Sequence, residues 1–149
     1  MVATDAQRIL IVDDDPGVRG YLRAALVRTG HEVVEAGTAA EAMAAIEAAP
    51  VGVLLIDGLL PDGHGLDLAA QVLERPEGAR MGISFVTGAV REPVPPVHGI
   101  GALGKPVRPS ELIAGVNELL QWHAGGTEDR MAERRATLES LAARFLVGR

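Results

Sequence analysis

From residue 8 to residue 122, short apolar runs alternate with longer segments in which apolar residues recur every three or four positions. Short continuous apolar runs are typical of strands buried on both faces, whereas the longer spacing is typical of helices with one buried side. Their alternation predicts an α/β protein with a parallel sheet between two layers of helices. The predicted strands are residues 8–12, 32–35, 51–56, 83–86 and 100–103.

The helices between these strands carry recognisable boundaries. Asp15 followed by Pro16 is typical of a helix start, because a side-chain oxygen caps the first turn and proline lacks only a donor that has no partner there. Thr38 and Glu41 have the spacing of a capping box. The last helix of the core has an apolar stripe made of Leu112, Ile113, Val116, Leu119 and Leu120.

The segment from residue 89 to residue 98 interrupts the alternation. Pro93, Pro95 and Pro96 remove backbone donors and disfavour helical backbone angles in the residues before them. We therefore predict an extended or irregular segment between the fourth and fifth strands.

Beyond the core, residues 123–126 predict a hinge and residues 127–149 predict an extra C-terminal amphipathic helix. A helix of about 30 Å is marginal in water when it stands alone, so this one needs a surface on which to pack. It could cover apolar surface of its own domain, pair with a second copy in a homodimer, or begin a connection to further chain. Its apolar side consists of Met131, Leu138, Leu141, Phe145 and Leu146.

Composition narrows the class of protein. The 149 residues fit one domain with an appendage, and the absence of cysteine excludes disulfides and thiolate metal sites. A net charge of −6 without a basic block argues against direct binding to nucleic acid. The N-terminus lacks the apolar stretch of a signal peptide, and the longest apolar run is too short to span a membrane. We expect a cytoplasmic protein.

Polar side chains follow four of the five predicted strands. Asp13 and Asp14 follow the first strand, Asp57 the third, Thr87 the fourth and Lys105 the fifth. Because the carboxyl ends of parallel strands lie along one edge of a sheet, these side chains are expected to converge.

Such a cluster suits phosphoryl transfer. Two carboxylates about 4 Å apart repel by roughly 4 kcal/mol at an effective dielectric near 20, and oxygen ligands alone favour a hard cation such as Mg²⁺. With the cation bound, one carboxylate can attack phosphorus, while an ammonium and a hydroxyl stabilise the transferring oxygens. Lys105 is the only lysine among 14 basic residues, and its ammonium is a more compact charge than a guanidinium.

The sequence resembles the receiver domain of two-component response regulators over roughly residues 7–122, and we predict that residues 1–122 form this domain. The resemblance is carried by ILIVDDDP, by LLIDGLLPDGHG with a proline and a glycine at set distances after Asp57, by FVTG and by GKPV, in that order. It implies a flavodoxin-like, doubly wound, five-stranded parallel sheet. The interval from Thr87 to Lys105 is shorter than usual for that family, so the fourth helix is expected to be shortened or missing.

The resemblance also implies roles for individual residues. Asp57 would be the phosphoacceptor, supplied by a histidine kinase or a phosphotransfer protein. Asp13, Asp14 and Asp57 would hold Mg²⁺ together with the backbone carbonyl of Leu59. Thr87 and Lys105 would bind the phosphoryl group, and the peptide bond before Pro106 would be cis.

One position departs from the family pattern. Ala102 stands where many receivers have an aromatic residue that moves together with the threonine, so output is expected to run through the proline-rich segment, the last core helix or the C-terminal helix. Leu59 and Ala89 offer no group to orient an attacking water, which predicts a long-lived phosphoryl state.

Three functions are compatible with the sequence. The first is a phosphorylation-dependent signalling switch without an output domain, which promotes its own Mg²⁺-dependent phosphorylation and dephosphorylation but is not otherwise an enzyme. The second is an adaptor with the same fold that works unphosphorylated. The third is an aspartyl-phosphate phosphatase of the haloacid dehalogenase type, suggested by Asp13 and Asp15 but opposed by the absence of an acidic strand end after Lys105.

Overall fold

The computed structural model describes residues 7–125 and 130–146. In chain order the strands are β1 (Arg8–Val12), β2 (Glu32–Ala36), β3 (Val53–Ile56), β4 (Leu59–Leu60), β5 (Gly63–His64), β6 (Gly82–Thr87), β7 (Val94–Val97) and β8 (Ile100–Gly104). The α-helices are α1 (Pro16–Leu26), α2 (Ala39–Ala48), α3 (Gly65–Leu73), α4 (Pro109–Ala124) and α5 (Met131–Leu146).

The main sheet has the strand order β2-β1-β3-β6-β8-β7. The first five of these strands are parallel, as predicted, and β4 and β5 form a separate small hairpin. The prediction of a five-stranded sheet is incomplete, because the proline-rich segment adds β7 as a sixth strand antiparallel to β8. Proline is tolerated there because an edge strand needs backbone donors on one side only.

The fourth helix is absent from the described residues between β6 and β8, which confirms the prediction of a shortened or missing helix. In its place the chain passes directly against β8. A Cβ atom at Gly104 would lie 2.2 Å from the carbonyl oxygen of Val90, and one at Gly101 would lie 2.8 Å from that of Val94. These two glycines therefore permit the close approach of the proline-rich segment.

Two apolar clusters cover the two faces of the sheet. Ile9 and Ile11 of β1 point into the cluster that contains residues of α1 and α4, whereas Leu10 and Val12 point into the cluster that contains residues of α2, α3 and α5. This alternation gives the three-layer arrangement that the sequence predicts. Within the described ranges, no helix is long and apolar enough to cross a membrane.

Helix α5 packs on the face from which the fourth helix is missing. Leu138 and Leu141 are buried in the same cluster as Ala102 of β8. Of the three possibilities left open by the sequence, the structure shows the first, in which the helix covers its own domain. Its described apolar face is therefore occupied within the chain, and a homodimer through this helix stays a prediction. The side chains of Phe145 and Leu146 lie outside the described part.

The boundary before α5 differs from the prediction. Helix α4 extends through Ala124, so His123 and Ala124, which were assigned to a hinge, continue the helix. The described part of α5 begins at Met131, and residues 126–129 lie outside the described ranges.

A buried arginine anchors α5. Arg134 is fully buried, and its guanidinium lies 4.4 Å from the centre of the Trp122 ring. Burial lowers the pKa of Arg134 to about 10. The guanidinium donates hydrogen bonds to four backbone carbonyls, those of Gly78, Ala79, Met81 and His98. The side chain thus joins α5 to the loops before β6 and β8, at the end of the sheet opposite the strand ends that carry the candidate site.

Candidate functional site

The backbone places Asp13, Asp57 and Lys105 directly after β1, β3 and β8, and Thr87 is the last residue of β6. The amide of Asp13 donates to the carbonyl of Ala36 at 3.1 Å, and the amide of Asp57 donates to Val12 at 2.8 Å. The amide of Lys105 donates to the carbonyl of Thr87 at 3.0 Å. These backbone hydrogen bonds continue the pairing of the parallel strands just past their carboxyl ends. Since the four strands β1, β3, β6 and β8 are neighbours in the sheet, all of these residues lie along one edge of it.

Three carboxylates form an acidic cluster. Asp13 is buried, Asp57 is half-buried and Asp14 is exposed, and one carboxylate oxygen from each lies within 4.8 Å of the others. An all-oxygen donor set of this kind fits a hard divalent cation, which keeps part of its water shell and accepts a few carboxylates. The residues present therefore fit Mg²⁺. Leu59, the fourth expected ligand, is exposed in β4, and its amide lies 3.5 Å from Asp57 Oδ1.

Lys105 bridges two of the carboxylates. Its Nζ lies 2.8 Å from Asp13 Oδ2 and 3.5 Å from Asp57 Oδ2. Burial acts to lower the pKa of Lys105, but the hydrogen bond to Asp13 and the charge of Asp57 outweigh it and raise the pKa. Burial raises the pKa of Asp57, and the charge of Lys105 opposes this rise while that of Asp13 adds to it. The lysine thus offsets only part of the negative charge in the cluster.

Because the chain has one lysine, its titration can be observed directly. In protein labelled with ¹³Cε-lysine, we expect a single lysine NMR resonance. The pH titration of its chemical shift should have a midpoint above that of free lysine, because the pKa of Lys105 is raised. Asp13→Asn should lower the midpoint more than Asp57→Asn does, since Asp13 accepts the shorter hydrogen bond from Lys105, and this bond raises the pKa more than the charge of Asp57 does. Equal midpoints in the parent and Asp13→Asn would contradict the ion pair.

Thr87 lies beside the backbone that follows Asp57. A Cβ atom added to Gly58 would be 3.2 Å from Thr87 Oγ1. The same oxygen accepts a hydrogen bond from the amide of Ala89 at 3.2 Å, so its own proton is available for a further acceptor. The peptide bond between Lys105 and Pro106 is cis.

Gly65, the last of the three glycines in the LLIDGLLPDGHG motif, lies directly behind Asp57. A Cβ atom at this position would be 2.1 Å from the carbonyl oxygen of Asp57, well inside van der Waals contact. The amide of Gly65 also donates to the carbonyl of Gly58 at 3.0 Å. The start of α3 can therefore approach the backbone of Asp57 only if residue 65 has no side chain.

Gly65→Ala is therefore expected to lower the free energy of unfolding by at least about 2 kcal/mol, because backbone atoms on both sides must move. Gly20→Ala is the matched control, since a Cβ atom at that exposed helical position meets nothing within 4 Å. The control should be neutral or more stable by up to about 1 kcal/mol. Urea denaturation measures both variants, and equal stabilities would contradict the close approach.

Several neighbours complete the site. Asp15 caps α1 by accepting hydrogen bonds from the amides of Gly17 and Val18, as predicted.

Arg19, which no sequence pattern indicates, donates a hydrogen bond from Nη1 to the carbonyl of Asp13 at 2.6 Å. Its contact is to a backbone atom, so no motif signals it. Because Asp15 is committed to the helix cap, the interpretation as a phosphatase with Asp13 and Asp15 as its carboxylate pair loses support.

Comparison with known proteins identifies the class. The family model of the response regulator receiver domain matches residues 9–117. The transcriptional regulatory protein AruR of Pseudomonas aeruginosa is 36% identical over 124 residues, which cover 76% of this chain and 49% of that protein. The crystal structure of a CheY-like receiver domain protein from Methanospirillum hungatei superposes with a TM-score of 0.70 and 31% identity, covering 83% of this chain and 100% of that one.

The chain therefore belongs to the response regulator receiver domain family. A further structural match is the receiver domain of the hybrid histidine kinase CckA, with a TM-score of 0.65, 28% identity and coverage of 76% of this chain and 99% of that domain. The chain spans about half the length, or less, of the first curated relatives that it matches.

Proposed function

We propose that Asp57 accepts a phosphoryl group from the phosphohistidine of a histidine kinase or phosphotransfer protein, and that the chain then acts in the cytoplasm as a signalling switch through contacts with other proteins. The observation that supports this most strongly is the convergence of Asp57, Thr87 and Lys105 with the acidic cluster at one edge of the sheet. Membership of the receiver family supports the donor class.

The chain's own residues divide the work. A carboxylate oxygen of Asp57 forms a bond to phosphorus as the bond from phosphorus to the histidine nitrogen breaks, and the electron pair leaves on the imidazole. Lys105 neutralises negative charge on the transferring oxygens, and the Thr87 hydroxyl donates a hydrogen bond to one of them. Mg²⁺, held by Asp13, Asp14, Asp57 and the Leu59 carbonyl, would supply the charge that keeps the acidic cluster ionised beside the phosphoryl group.

The route of output is proposed from the face of the sheet on which β7 and α5 take the place of the missing fourth helix. A phosphoryl group that draws the Thr87 hydroxyl toward Asp57 also moves the Ala89 amide that is bonded to it. Ala89 begins the segment that leads through Val90 to β7, and Val90 packs in the same apolar cluster as α5. We therefore place the output surface on β7 and α5.

An adaptor that works without phosphorylation is the second candidate. Ala102 is buried beneath α5 and provides no aromatic group for the usual relay, which favours this alternative. The two functions differ in phosphoryl uptake. A phosphorylated phosphotransfer protein should pass its label to the chain in Mg²⁺ and lose that ability in EDTA; failure of transfer with every donor tested would favour the adaptor.

We expect the phosphoryl state to last for minutes or longer. Leu59 is half exposed beside the site and Ala89 is exposed, and neither offers a polar side chain that could orient an attacking water. The decay of the adduct, followed by intact mass after removal of the donor, measures the lifetime. Decay within seconds would contradict this expectation.

A further inference from the structure

The hairpin of β4 and β5 is the segment that connects Asp57 to α3. Leu60 anchors the hairpin to the domain, since this side chain is buried in the core, whereas Leu59 faces outward. Leu59 pairs with His64, and the tip of the hairpin lies between Leu60 and Gly63. The hairpin therefore carries the backbone carbonyl that we propose as a metal ligand, and its position affects the geometry of the site.

The tip of the hairpin is attached to the N-terminus of α2. Asp62 Oδ1 accepts a hydrogen bond from the amide of Ala39 at 2.8 Å, and Asp62 Oδ2 accepts one from the amide of Ala40 at 3.1 Å. These two hydrogen bonds lower the pKa of Asp62, so the carboxylate is ionised at neutral pH. Charge-assisted bonds at the positive end of a helix are among the stronger hydrogen bonds in proteins.

The cap of α2 is divided between two residues. Thr38, which directly precedes the helix, accepts from the amide of Glu41 at 3.0 Å. Asp62, 23 residues away from Ala39 in the chain, accepts from the first two amides of the helix. Thr38 thus stabilises the helix alone, whereas Asp62 also fixes the hairpin to it. Thr38 is therefore a local cap, whereas Asp62 connects two elements, so that substitutions of the two residues can be compared.

We propose that Asp62 is a positioning residue of the phosphorylation site: by bonding the hairpin tip to α2, it holds Leu59 where its carbonyl completes the cation site. The inference rests on the proposed function for its consequence, but the attachment itself does not depend on it. Without Asp62, the contacts described for the hairpin are the burial of Leu60, the hydrogen bond from the Gly65 amide to Gly58 and the long 3.5 Å contact of the Leu59 amide with Asp57. The hairpin would then sample positions in which the Leu59 carbonyl is displaced from the cluster.

The test compares Asp62→Ala with the matched control Thr38→Ala in the full chain. Amide hydrogen exchange in Mg²⁺-free protein should show residues 58–64 exchanging about fivefold faster in Asp62→Ala, the scale of losing a capping carboxylate, and unchanged in Thr38→Ala. Exchange at the start of α2 should rise in both variants. Asp62→Asn retains one amide oxygen as an acceptor, and it should give an intermediate rate.

The second measurement is the affinity for Mg²⁺ by calorimetry. Asp62→Ala should bind Mg²⁺ about tenfold more weakly, at the lower end of the effect of losing an outer-shell partner, while Thr38→Ala binds as the parent does. Phosphorylation of Asp62→Ala by acetyl phosphate should then be slow at low Mg²⁺ and approach the parent's rate at saturating Mg²⁺.

Each outcome is decisive. Equal hairpin exchange in the parent and Asp62→Ala, or an equal loss of Mg²⁺ affinity in Asp62→Ala and Thr38→Ala, would overturn the positioning role. If the parent binds Mg²⁺ but takes up no phosphoryl group, the proposed function fails, while a selective loss of affinity in Asp62→Ala would still support the inference. If the parent binds no Mg²⁺, the role at the cation site is overturned.

Discussion

Lys105→Met is expected to slow phosphoryl uptake at Asp57 by about 100-fold or more, the effect of removing one preorganised charge from a transition state. In the parent, the ammonium of Lys105 lies 3.5 Å from Asp57 Oδ2, next to the position that the oxygens of the transferred phosphoryl group would occupy. Methionine keeps the length of the side chain but removes the charge. The rate of adduct formation from acetyl phosphate at saturating Mg²⁺ measures the loss.

Lys105→Arg is the control for charge alone. A guanidinium is planar and spreads its charge over a wide fork, so it cannot reproduce a compact contact with both Asp13 and Asp57. We expect this variant to stay well below the parent in rate although it preserves the net charge. Uptake at the parent's rate in Lys105→Met would show that the lysine serves only to balance the two carboxylates.

Arg134→Met is expected to lower the free energy of unfolding by about 3 kcal/mol. Methionine fills much of the same space but removes the guanidinium donor from the carbonyls of Met81 and His98, and leaving a buried acceptor such as Met81 without a partner costs about 1–3 kcal/mol before relaxation. The carbonyl of Gly78 keeps the amide of Met81 as a donor. The contact with the Trp122 ring is lost as well. Urea denaturation measures the stability, and limited proteolysis of α5 reports whether the helix detaches first.

Arg135→Met provides the matched control, because this neighbouring arginine is exposed. It should change the free energy of unfolding by less than about 0.5 kcal/mol, as most surface substitutions do. If Arg134→Met were as stable as Arg135→Met, the buried guanidinium would not be what holds α5 on the domain.

The sequence predicts the central parallel strands β1, β3, β6 and β8 well because they are buried on both faces, whereas the edge strand β2 is recognised from a short apolar pair between two glutamates. It does not predict β7, since its pairing with β8 is non-local and its prolines are unfavourable for strands in general. The sequence also does not predict the surface on which α5 packs, because an apolar stripe indicates that a helix needs a packing partner but does not identify that partner. Arg134 lies on the same helix and has no sequence feature that distinguishes it from the exposed Arg135.

The position of the candidate site could be predicted for those residues that lie at the carboxyl ends of the parallel strands. Asp13, Asp57 and Lys105 each follow a strand, Thr87 ends one, and parallel strands end at one edge. Arg19 and Asp62 were not predictable in this way, because both bond to backbone atoms of other elements. In the sequence, Asp62 lies between Pro61 and Gly63, where an aspartate is expected in any turn.

The most direct test of the central claim is intact mass after incubation with Mg²⁺ and acetyl phosphate, for the parent and Asp57→Asn side by side. Our account predicts a single phosphoryl adduct on the parent, dependent on Mg²⁺ and absent from Asp57→Asn. An adduct of equal extent on both proteins would contradict Asp57 as the phosphoacceptor. No adduct on either protein, from this donor or from a panel of histidine kinases, would contradict the switch and favour the adaptor.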